Sequence, residues 1–140
     1  MELTRRKVLA IGSSALALAS FAGFPALASL TDDAIAALTG GAEIGEGGVT
    51  LTAPEIAENG NTVPIGVSAP GAAEITLFAD GNPVPAVATF KFGPLAASRS
   101  ASTRIRLAKT QNVVAVAKME DGSFQMAKAE VKVTIGGCGG

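Results

Sequence analysis

The sequence predicts an all-β domain, an antiparallel sandwich of about seven strands with a short N-terminal helix, and three observations lead there. From Val49 onward, apolar and polar residues alternate in short runs, the period of half-buried strands. Asn59-Gly60-Asn61, Asp80-Gly81-Asn82-Pro83, Gly93-Pro94 and Asp121-Gly122 punctuate those runs, at roughly ten-residue spacing. The chain has 140 residues, which, less a leader, suffices for one core and not two.

The leader is 1–28. Thr4-Arg5-Arg6-Lys7 is a basic start, Val8 to about Phe24 is alanine-rich and apolar, and Ala26-Leu27-Ala28 is the small-x-small pattern cut by signal peptidase. Arg5 and Arg6 together point to twin-arginine export, although Val8 stands where such signals often carry phenylalanine, and the general secretory route is the alternative. An uncleaved anchor is a further alternative, since Val8 to Ala28 approaches the roughly 20 apolar residues that span a bilayer. Serine and glycine dilute that run and Ala26-Leu27-Ala28 favours release, so no membrane association is expected after cleavage. The mature chain then divides into an N-terminal helix and connector (29–48), a β-sandwich (49–135) and a C-terminal arm (136–140).

Three of the 11 basic residues and one of the 12 acidic ones fall in the leader, so the mature chain carries eight against 11, a net charge of −3. That mildly acidic balance, with only Arg104 and Arg106 close together, speaks against nucleic acid. The absence of His excludes Ser-His-Asp and Cys-His catalysis and histidine metal sites within this chain. A single Cys builds neither a metal cage nor an internal disulfide. No cofactor is expected, and stability has to come from the core.

Thr31-Asp32-Asp33 ahead of Ala34 to Leu38, with Gly40-Gly41 behind, reads as the capping threonine, acidic first turn and terminal glycine of a short helix. Gly40 to Gly48, five glycines with Glu43 and Glu46, reads as a flexible connector. Gly45-Glu46-Gly47-Gly48 lacks the following helix that a phosphate loop needs. Strands are expected at Val49–Thr52, Thr62–Ser68, Glu74–Ala79, Val87–Phe92, Ser102–Ala108, Asn112–Glu120 and Ser123–Ile135. Pro64 implies an edge or a bulge in the second. In the fifth, Thr103, Ile105 and Leu107 share one face and Arg104 and Arg106 the other. A solvated face is the plain reading of those arginines, an anion or an acidic partner the sharper one. In the sixth, Val114 and Val116 lie opposite Val113 and Ala115, so both faces are apolar, which suggests that a partner covers one of them. In the seventh, Val131, Val133 and Ile135 share the inward face. Seven such strands suit an immunoglobulin-like sandwich without the Cys-Trp-Cys hallmark of antibody domains; a small barrel is the other architecture.

The one thiol sits where packing cannot protect it. Cysteine is among the most buried residue types, yet Cys138 lies in Gly136-Gly137-Cys138-Gly139-Gly140, beyond the final apolar residue. Glycine on both sides predicts a flexible arm, and three extended residues would carry the sulfur roughly 10 Å clear of Ile135. No cation, histidine or helix start lies in the local sequence to activate it, and the terminal carboxylate opposes a second negative charge. The group therefore fits a carried handle that partners act upon. A static intermolecular disulfide, in an assembly module linked as a dimer, is the competing reading. A thiol oxidoreductase is disfavoured by the lack of a Cys-x-x-Cys pair.

The stretches PEIAENGNTVP (Pro54 to Pro64), STRIRLAKTQNVVAVAKMEDGS (Ser102 to Ser123) and AEVKVTIGGCGG (Ala129 to Gly140) resemble the SoxY family of thiosulfate-oxidation carriers. The resemblance implies a periplasmic, non-enzymatic carrier with an immunoglobulin-like fold, paired with a small β protein, SoxZ, as a heterodimer. It further implies a covalent sulfur adduct on Cys138. A c-type cytochrome would join thiosulfate to that thiol, a hydrolase would release sulfate, and a sulfane dehydrogenase would oxidise the remaining sulfur.

Overall fold

The computed structural model describes residues 27–135. Among them, helix α1 (Leu27–Thr39) precedes nine strands: β1 (Ile44–Glu46), β2 (Thr50–Thr52), β3 (Ile56–Ala57), β4 (Val63–Ser68), β5 (Ala72–Ala79), β6 (Ala86–Lys91), β7 (Ser100–Ile105), β8 (Gln111–Met119) and β9 (Phe124–Val133). The larger sheet has the order β1-β9-β8-β5-β6, with β3 also pairing with β9; the smaller is β2-β4-β7. The two stack as an open sandwich. Val63, Ile65 and Val67 of β4 meet Ile75, Leu77, Val113, Ala115 and Val131 from the larger sheet in one core. Alternation produces this directly, since β4 buries Val63, Ile65 and Val67 and turns Pro64, Gly66 and Ser68 outward.

The seven expected strands correspond to β2 and β4 to β9. Pro64 meets its constraint in an unexpected way: β4 is the central strand of its sheet, but β2 pairs only with Gly66 to Ser68, so beside Pro64 the strand is locally an edge. The hairpin at Asp121-Gly122 closes as expected. Gly122 donates to the Met119 carbonyl at 3.0 Å with φ 87°, a conformation that favours glycine.

Four expectations change. The connector 40–48 contains β1, which runs parallel to β9 with Ile44 opposite Phe124, and β3 continues that role with Ile56 opposite Lys132. These two short pieces hydrogen-bond an edge of β9 that would otherwise be bare, and segments of two or three residues are too short to show a period. Helix α1 starts at Leu27, four residues ahead of the expected capping threonine. Thr31 is consequently not a cap: it lies inside the helix, only 3% exposed, and its hydroxyl has no hydrogen-bond partner. The outer apolar face of the larger sheet is covered by α1 rather than left for a partner. Phe78, Val114, Val116 and Phe124 form a second buried cluster beneath Ala34, Ile35 and Leu38. Finally, β9 ends at Val133, and Ile135 is 66% exposed rather than inward-facing. Pairing with β8 stops at Val131, opposite Gln111, so Ile135 has run past the core.

At its far end α1 stops as its glycines require. Gly40 adopts φ 65° and the Gly41 amide donates back to the Ala36 carbonyl at 3.2 Å, satisfying an end carbonyl that the helix leaves open.

Candidate functional site

Cys138 and the glycines Gly136, Gly137, Gly139 and Gly140 lie outside the described residues, as do Arg5, Arg6 and Ala26 of the leader. What the structure places is the root from which the arm departs. Two chain segments, 55–60 and Thr110, hydrogen-bond to it, and the sequence singles out none of these contacts.

On one side the root is zipped to residues 55–60. Lys132 donates its amide to the Glu55 carbonyl at 2.9 Å, Thr134 to the Ala57 carbonyl at 3.1 Å, and the Thr134 hydroxyl to the Glu58 carbonyl at 3.1 Å. The Gly60 amide then donates to the Ile135 carbonyl at 2.7 Å, while the Gly60 carbonyl accepts from the Leu107 amide at 2.7 Å. Gly60 thus joins the last described residue to the end of the β7 segment. On the other side, the Val133 amide donates to Thr110 Oγ1 at 2.9 Å. The alternation Val131-Lys132-Val133-Thr134 leaves these amides and carbonyls aligned along the strand, and residues 55–60 supply the complementary edge.

The loop holding Leu107 is itself braced. Asn82 Nδ2 donates to the Arg106 carbonyl at 2.8 Å, and Asn82 Oδ1 accepts from the Ala108 amide at 3.0 Å. Buried Gln111 donates from Nε2 to Asn82 Oδ1 at 3.0 Å and to the Lys109 carbonyl at 2.9 Å, while its Oε1 accepts from the Gly81 amide at 2.8 Å. Asp80 holds Asn112 through both carboxylate oxygens, at 2.8 Å from the amide and 3.0 Å from Nδ2. The turn Asp80-Gly81-Asn82 therefore does more than stop a strand. Its side chains fix the far loop against which the root is set, and no local pattern announces pairings about thirty residues apart.

Side chains of both charges lie near the root. Arg104 and Arg106 are exposed, as the alternation predicts, with buried Ile105 and Leu107 facing the core. Arg104 Nη1 donates to Thr62 Oγ1 at 3.5 Å. The ion pair among the described residues is Arg99–Glu120 at 3.0 Å, so neither Arg104 nor Arg106 has a carboxylate partner there. Along the strand pair 55–60 and 130–135, Glu55 and Glu130 line one surface hollow with Ile56 and Lys132. No group of three His, Cys, Asp or Glu side chains among the described residues is arranged to hold a metal ion.

A family model described as sulfur oxidation protein SoxY matches residues 35–138, a span that runs from α1 through the sandwich to Cys138. The solved structure of the sulfur carrier protein SoxY from Chlorobium limicola f thiosulfatophilum is similar at 45% identity and a TM-score of 0.67, covering 77% of this chain and 99% of that one. A superoxide reductase (neelaredoxin) from Ignicoccus hospitalis shares the fold alone, at 19% identity and a TM-score of 0.55, over 62% of this chain and 80% of that one. No curated protein matches. With most of its length matched, and the match extending to the arm cysteine, the chain belongs to the SoxY family of sulfur oxidation proteins.

Proposed function

We propose that this chain is an exported, periplasmic sulfur carrier that holds thiosulfate-derived sulfur covalently on Cys138 and has no catalytic machinery of its own. The observation that carries the reading is the root at 132–135, fixed by hydrogen bonds to residues 55–60 and to Thr110, followed by Gly-Gly-Cys-Gly-Gly. The similar Chlorobium protein is a sulfur carrier.

The chemistry assigns separate work to separate proteins. Coupling the Cys138 thiolate to the outer sulfur of thiosulfate forms an S–S bond, gives a thiosulfonate adduct and releases two electrons, which a c-type cytochrome accepts. Water then attacks the terminal sulfonate. That cleaves the bond between the sulfane and sulfonate sulfurs, leaves a persulfide on Cys138 and releases sulfate with two protons; a hydrolase performs the step. A sulfane dehydrogenase would oxidise the remaining sulfur. A SoxZ-like β protein is the heterodimer partner. Its docking surface is not the α1 face of the larger sheet, which this chain covers itself.

Intact-mass spectrometry of the protein from thiosulfate-grown cells, kept free of reductant, tests the reading. Sulfur-containing adducts are expected on Cys138 and none on Cys138→Ser, which should also fail to support growth on thiosulfate. Unmodified thiol alone would overturn the proposal. A stable disulfide dimer that stays active when the arm glycines become alanines would establish the assembly module instead.

A further inference from the structure

The carrier reading leaves Arg104 and Arg106 without a role, and the structure puts them near the arm root. Gly60 bonds Ile135 on one side and Leu107 on the other, so the root and Leu107 stand about two strand spacings, roughly 10 Å, apart. Arg106 precedes Leu107, and Arg104 reaches back along the strand to Thr62, two residues past Gly60. Cys138 lies three residues beyond Ile135, a reach of roughly 10 Å. A sulfonate carried on its sulfur extends that reach further.

Three features make this flank suited to an anion. Both guanidiniums are exposed and lack a carboxylate partner among the described residues. Asn82 holds the backbone on both sides of Leu107, at the Arg106 carbonyl and the Ala108 amide, so Arg106 projects from a fixed position. Arg104 also lines an open groove of about 540 Å³ on the outer face of the smaller sheet, whose walls include Thr52, Pro64, Gly66 and Ser102. Low side chains leave room there for glycine backbone, and hydroxyls supply donors to an oxyanion.

We propose that Arg104 and Arg106 form an anion subsite beside the arm root that holds the terminal sulfonate of cargo tethered to Cys138. The inference rests on the carrier reading for its ligand. Planar guanidiniums with several donors suit such a group. Tethering raises the local concentration of the sulfonate to the millimolar range, so a subsite too weak to retain free thiosulfate still retains the cargo.

The full exported chain is loaded in vitro with tetrathionate. The Cys138 thiolate attacks a central sulfur, thiosulfate leaves, and the thiosulfonate adduct forms without a further oxidant. A second sample is capped with iodoacetamide, which leaves a neutral group. Backbone amide spectra of the two are compared. The amides of Thr62, Arg104 and Arg106 are expected to shift in the loaded sample relative to the capped one. The shift should collapse in R104Q/R106Q and survive in K91Q, which removes one charge from the distant β6. Coincident spectra at those three residues overturn the subsite. So does an equal shift when equimolar free thiosulfate is added to capped protein, because the site would then take the free anion. Neither result depends on whether cells load Cys138, which the mass measurement decides separately.

Discussion

On its outer side the larger sheet carries Phe78, Val114, Val116 and Phe124, all buried under α1, whereas the smaller sheet presents Thr50, Thr52, Ser102 and Arg104 to solvent. The central strands β5 and β8 of the larger sheet are therefore apolar on both faces, and those of the smaller sheet alternate. The difference teaches where this chain spends its helix. A sheet buried on both sides needs a second layer, and with one short helix among the described residues only one of the two sheets receives it. The other keeps a hydrophilic surface with small side chains, next to the arm root.

Substitutions test that contrast in descending order of effect. Phe78→Ala should destabilise the domain by about 3 to 5 kcal/mol, the usual range for removing a buried aromatic ring, read as a lowered urea midpoint. If it costs no more than a change on the smaller sheet, the contrast is wrong. Leu38→Ala, on the half-buried underside of α1, should cost about 1 to 2 kcal/mol and should raise binding of an apolar dye as the cluster is uncovered. Thr31→Val should act in the opposite direction. Replacing a buried hydroxyl that has no partner with a methyl of similar shape is expected to stabilise by about 1 kcal/mol, seen as a raised Tm. Ser102→Ala, on the outer face of the smaller sheet, should stay within about 0.5 kcal/mol of the parent.

The smallest effect concerns pH. Ser123 donates its hydroxyl to Asp121 Oδ1 at 2.6 Å and its amide at 2.9 Å, and these bonds hold the Asp121 carboxyl below its ordinary value of 3.8. A depressed carboxyl stabilises the hairpin fully above its unfolded value, and that contribution is lost as pH falls through the folded one. Protection factors of amides in the β8–β9 turn, corrected for the intrinsic pH dependence of exchange, should therefore fall on acidification, and less so in Ser123→Ala. An acid response equal in the two would remove the hydrogen bonds from the account.

Much of this contrast could be read before folding. Seven strands, the Asp121-Gly122 turn and the inward alternation of β4 follow from a two-residue period that the backbone enforces. The double apolar face of β8 was equally visible in Val113 to Ala117, but the sequence cannot name what covers a face. Ile35 and Leu38 had already been read as part of a helix, and nothing local links them to Phe78 across forty residues. The same limit hid the arm's setting. Gly60, Thr110 and Asn82 look like ordinary turn residues, and their role arises from hydrogen bonds to chain distant in sequence. Cys138 was the opposite case, conspicuous because nothing around it could explain a buried or catalytic thiol.

Gly60 fastens Ile135 to the body of the domain through a backbone amide, and no side chain contributes to that fastening. On the carrier role proposed above, tether length would be counted from that fixed origin, in residues, and adding or deleting one glycine after Ile135 would change the radius of delivery by one residue's reach without disturbing the platform. On that role, depth of delivery and stability of the domain would be set by separate parts of the chain.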